Sequence, residues 1–117
     1  MMDTNLKWSR IIAFNDEYFP KWREDWQPIF GSNALAGEAG EVCNKIKKFY
    51  GGGTNNDSSL VSESDIVEEC VDVYIYMVLL CESLGYGPQM FSEIFDSKMA
   101  KLHRRMTEKE NKKRITQ

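Results

Sequence analysis

The stretch EECVDVYIYMVLLC, residues 68–81, decides how the rest of the chain is read. From Val71 onward it is apolar around a helix's full circumference, the pattern of a helix enclosed on all sides. Two carboxylates, Glu69 and Asp72, stand three residues apart near its start and so share one helical face. An ionised carboxylate in such a setting is costly unless it is paired or holds a metal. Asp72 is therefore the most informative single residue.

Working outward, Ser62 and Asp65 are spaced as a capping box, so this helix should start near Ser62 or Ser64 and stop at Gly85. Pro88 suits the first position of a further helix running at least to Met106. The tail at 107–117, TEKENKKRITQ, is charged all round and is expected to fray. On the N-terminal side, GGGTNNDSS (51–59) has loop composition, and no Gly-Lys-Ser/Thr follows its glycines to make a phosphate-binding loop. Before it, Ser32 reads as the N-cap of a helix that ends with Lys47, Lys48 and Gly51. A first helix spans about Asn5 to Phe19, with Trp8, Ile11, Ile12, Tyr18 and Phe19 on one face and Pro20 at its end. PKWREDWQPIFG (20–31) is an aromatic-rich connector. β-branched alternation is absent. The expectation is an all-α chain of four-helix-bundle type, one domain over 1–117 with its core at about 5–106.

GEAGEVCNKIKK (37–48) repeats the acidic spacing on another helix. Leu35, Ala39, Val42, Ile46 and Phe49 form a core stripe, and Glu38, Glu41, Lys45 and Lys48 form a second stripe on its flank. Taken alone, Glu41 and Lys45 make an ordinary i, i+4 surface pair. Asp72 admits no such reading. Gly37 and Gly40 each cost a helix about 1 kcal/mol relative to alanine, which suggests close approach of a neighbouring helix or a substrate. Four carboxylates without a nitrogen or sulfur ligand suit a hard cation, Mg²⁺ or Mn²⁺. A di-iron bundle would need Glu-x-x-His pairs, and the one histidine, His103, stands in neither motif.

Composition excludes several classes. The net charge of −3 argues against general nucleic-acid binding, and the basic helix near the C-terminus is balanced by Glu93, Glu108 and Glu110. Cys43, Cys70 and Cys81 have neither an even count nor CxxC spacing, so buried reduced thiols in a cytoplasmic protein are expected rather than disulfides or zinc. No signal peptide pattern is seen, and no apolar run is long enough to span a bilayer.

ALAGEAGEVCNKIKK, then 27 residues between Glu41 and Glu69, then EECVDVYIY, resembles the MazG-like all-α nucleoside triphosphate pyrophosphohydrolases. That family carries an ExxE motif and a downstream ExxD motif on the helices of a bundle. SKMAKLHRRM is similar to its third segment, a Lys followed seven residues later by an Arg. The likeness covers roughly residues 26–106.

The resemblance implies that Glu38, Glu41, Glu69 and Asp72 hold Mg²⁺, for which Mn²⁺ can substitute. Lys98 and Arg105 would neutralise triphosphate oxygens, Lys48 would be a weaker contributor, and Trp26 would help wall the base pocket. Trp8, Trp22 and Trp26 also suit core or interface positions. Leu102 stands where some members have Asn, so that residue's contacts do not carry over. The implied reaction converts a (d)NTP and water to the monophosphate and pyrophosphate, in nucleotide-pool house-cleaning or dNTP-level control. The implied partners are the nucleoside triphosphate and further copies of the chain, as homodimer or homotetramer. The alternative is a non-catalytic helical dimer module that senses nucleotide or metal.

Overall fold

The computed structural model describes residues 4–25, 28–50 and 61–116. Its elements are α1 (Thr4–Tyr18), α2 (Trp22–Asp25), α3 (Pro28–Tyr50), α4 (Glu63–Ser83) and α5 (Pro88–Thr116). The fold is all-α, with no strand among the described residues. Gly51 and the loop expected at 51–59 lie outside those residues.

α4 begins where local chemistry places it. Asp65 N–H donates to Ser62 Oγ at 3.2 Å, and Ser62 N–H donates to Asp65 Oδ2 at 2.9 Å, closing the expected capping box. The helix stops at Leu84, and Gly85 follows with φ of 85°. Its N–H donates to the Glu82 carbonyl at 2.9 Å. A left-handed residue at this C-terminal position is the usual place for glycine.

α3 starts earlier than Ser32. Pro28 lacks a backbone N–H and has a fixed φ, which pre-organise it for a first turn, so the helix runs unbroken from Pro28 to Tyr50 with Gly31 buried inside it. A third of the expected connector, Pro28 to Gly31, is thus helix, and Trp22–Asp25 adds a short turn of its own. The tail also departs from expectation, because α5 continues to Thr116. Glu108 and Glu110 each precede a basic residue by four positions, Lys112 and Arg114, in the orientation that supports a solvated helix. Lys113 and Arg114 also lie in its last turn, where cations favour the helix dipole.

The chain divides into two compact units, Met1–Gly85 and Tyr86–Gln117. In the first, α3 packs along α4, and α1 also meets α4. Rising numbers on α3 meet falling numbers on α4: Glu38 is near Asp72 and Lys45 is near Glu69 and Asp65, so these helices are antiparallel. Trp8, Trp22, Val61, Val78 and Leu79 are buried, and Ile11, Ile12, Ile75 and Tyr76 pack against Trp22 and Leu79. The indole N–H groups are paired: Trp8 Nε1 donates to Glu82 Oε1 and Trp22 Nε1 to Asp16 Oδ1, both at 2.8 Å. Arg23 lies 4.6 Å from the Trp22 ring centroid and reaches Asp16 at 3.6 Å and Glu82 at 3.7 Å. This network ties α1 and α2 to the C-terminal half of α4.

α4 is not enclosed on all sides by the described residues of its own unit. Val78 and Leu79 are buried, but Val67 and Val71 keep 61% and 50% of their surface exposed. On α3, Leu35, Val42 and Phe49 are half-buried, whereas Ala39 and Ile46 are exposed. The three cysteines are free, as the spacing implies, yet Cys43 and Cys70 are exposed rather than buried and Cys81 is only partly covered. The second unit is the single long helix α5, on which Ile94, Phe95, Met99, Leu102 and Met106 are exposed.

Candidate metal centre

The antiparallel packing of α3 on α4 brings together carboxylates that are far apart in sequence. One oxygen each from Glu38, Glu69 and Asp72 lies within 4.8 Å of the other two. Glu41 is outside this group and exposed, although its charge still acts on Glu38. All three grouped residues are partly shielded from solvent.

The cluster is electrostatically loaded. Desolvation raises the Glu38 carboxyl above its ordinary pKa, and the negative charges of Asp72, Glu69 and Glu41 raise it further. Asp72 is raised too, by desolvation first and then by Glu69 and Glu68, with Lys45 acting the other way. An oxygen-only donor set at this spacing fits a hard divalent cation, whose charge would relieve the repulsion.

One member of the site escapes sequence reasoning. Lys45 does not settle on Glu41 one turn away but crosses to α4, where its Nζ stands 3.0 Å from Glu69 Oε1. The Glu69 contact is the main reason the Lys45 ammonium holds its proton above the ordinary lysine range. Its place in the Glu38–Glu41–Lys45–Lys48 stripe is visible in the sequence, but its partner is not.

An open groove of about 1730 Å³ lies in the same unit, and Asp72 is among its lining residues together with Phe14, Tyr18, Phe19 and Tyr74. Enclosed ligand pockets are typically about 300–1,000 Å³, so a single nucleotide would not fill it.

The profile of the MazG nucleotide pyrophosphohydrolase domain matches residues 32–109, two thirds of the chain and including all four acidic positions. The chain belongs to the MazG family. No curated protein and no solved structure matches it. Against the MazG frame, Lys48 is exposed on α3 near its C-terminal end. Lys98 and Arg105 are exposed on α5 in the second unit, on one helical face that also holds Leu102. Trp26 lies outside the described residues. The groove aromatics Phe14, Tyr18 and Tyr74 are candidates that motif spacing could not single out, because helical residues far apart in sequence build the wall. No helix among the described residues is long and apolar enough to cross a membrane.

Proposed function

We propose that the chain is a Mg²⁺-dependent pyrophosphohydrolase that converts a (d)NTP and water to the (d)NMP and pyrophosphate, in nucleotide-pool house-cleaning or dNTP-level control. The observation that carries this reading is the meeting of Glu38, Glu69 and Asp72 oxygens within 4.8 Å, with Asp72 also lining an aromatic groove. Glu41, on the same flank of α3, completes the proposed ligand set.

A divalent cation held there supplies Lewis-acid polarisation of phosphoryl oxygens. The chain's own residues do the rest. The carboxylates orient the attacking water, and one of them accepts its proton. Lys98, Arg105 and Lys48 neutralise charge on the triphosphate. Trp26 and the groove aromatics flank the base. Exposed Val67 and Val71 on α4 support assembly as a homodimer or homotetramer, which would cover apolar surface that the described residues leave open.

The test is incubation with Mg²⁺ and each canonical NTP and dNTP, plus modified deoxycytidine and deoxyuridine triphosphates, followed by product separation. Monophosphate and pyrophosphate are expected from the native protein and neither from Asp72→Asn. Metal-dependent nucleotide binding without turnover would replace this reading with the sensor, which Leu102 in place of Asn favours.

A further inference from the structure

Lys45 belongs to the acidic cluster in space, and neither the ExxE nor the ExxD motif assigns it a part. Its ion pair with Glu69 is the best shielded of the three among the described residues, with side-chain exposures of 30% and 17%. Glu69 is the hub of the cluster: it has an oxygen within 4.8 Å of Glu38 and Asp72 oxygens and also faces the ammonium at 3.0 Å. One carboxylate thus serves three charged neighbours.

We propose that Lys45 is the built-in counter-ion of the cluster and competes with the divalent cation for Glu69. This rests on the metal-centre reading given above. Without metal, one ammonium offsets part of the repulsion among three carboxylates gathered within 4.8 Å. A divalent cation on the same oxygens meets that ammonium as a like charge at close range, where the interaction is strongest. A lysine is suited to such a role: a point charge on a flexible stem can hold the site and then swing off Glu69 without disturbing the helix. Lys45 thereby sets the metal concentration at which the centre fills.

The experiment is a titration with Mn²⁺ alone, without nucleotide, on the native protein, Lys45→Gln and Lys45→Arg. Lys45→Gln is expected to bind Mn²⁺ roughly three- to tenfold more tightly, the size expected for a partly exposed charge pair. Lys45→Arg, which retains the charge, should remain close to the native protein. Melting adds a second readout. In chelator Lys45→Gln should melt below the native protein, and saturating Mn²⁺ should close the gap, because tighter binding stabilises the folded state more. A merely structural tie between α3 and α4 would lower melting equally with and without metal and leave Mn²⁺ affinity alone. Unchanged or weaker Mn²⁺ binding by Lys45→Gln overturns this proposal while the metal-centre reading stands. No Mn²⁺ binding by any form overturns both.

Discussion

Trp8 and Glu82 join α1 to α4 through a 2.8 Å hydrogen bond between the indole N–H and Oε1. Trp8 is among the largest fully buried side chains, and its polar atom reaches a carboxylate whose other oxygen is 3.7 Å from Arg23. The acidic centre depends on α4 being held in place, and this contact anchors the opposite half of that helix.

Trp8→Phe removes the donor and leaves a smaller side chain in a closed site. The expected cost is about 2–4 kcal/mol, from the lost charge-assisted hydrogen bond and the space left behind. Glu82→Gln keeps an acceptor for Trp8 and loses the attraction to Arg23, so it should cost only about 0–1 kcal/mol. Urea unfolding of the two variants checks the order; equal losses would mean that the hydrogen bond contributes little.

The pH dependence of the metal-free protein follows from Glu38 and Asp72. Both carboxyls are raised by desolvation and by the acidic groups around them, Glu69, Glu68 and Glu41, with Lys45 as the opposing cation. A carboxyl raised in the folded state binds its proton more readily there than in the unfolded chain. Its contribution is full below the unfolded pKa and is lost as pH rises through the folded value. In chelator, these two groups should therefore make the protein more stable on going from about pH 7 to about pH 5. Asp65, lowered by the Ser62 hydrogen bonds, works in the opposite direction, and its contribution is lost only as pH falls through its folded value, below its ordinary 3.8. Loading with Mg²⁺ should reverse the trend in the upper window, since protons and metal compete for the same oxygens. Urea midpoints at the two pH values, with and without metal, measure both slopes.

No packing among the described residues demands Gly37 or Gly40. A Cβ built at either position meets nothing within 4 Å. Alanine at each should raise stability by about 0.5–1 kcal/mol through helix propensity and a less flexible unfolded chain. Turnover should fall in the same variants, because the unused room then serves a substrate or a second copy. Thermal melting and a turnover assay on Gly40→Ala read the two effects separately.

Much of the fold was legible because its signals are local. The Ser62–Asp65 capping box, Gly85 and Pro88 act over a few residues, and each marks its helix end as expected. The connector reading of 20–31 missed the start of α3 at Pro28, because proline both breaks helices and opens them and only the path of the chain tells which. The tail looked unfit for helix because it has no apolar face, yet i, i+4 charge pairs support α5 to Thr116. At the acidic centre the carboxylates were visible by spacing. Lys45 was assigned a neighbour on its own helix because a contact across antiparallel helices leaves no mark in sequence order. The enclosure expected around Val71 is not supplied by the described residues of its unit, since periodicity reports that a surface is apolar and not which segment or molecule covers it.

The most direct test of the central claim follows one turnover of a preferred triphosphate in heavy-oxygen water with Mg²⁺, read by phosphorus NMR. The label is expected to enter the monophosphate, pyrophosphate to leave unlabelled, and Glu69→Gln to be silent under the same conditions. Label in pyrophosphate would place the attack on the β phosphorus. Diphosphate with inorganic phosphate, or full turnover by Glu69→Gln, would contradict the reaction or the site assigned to it.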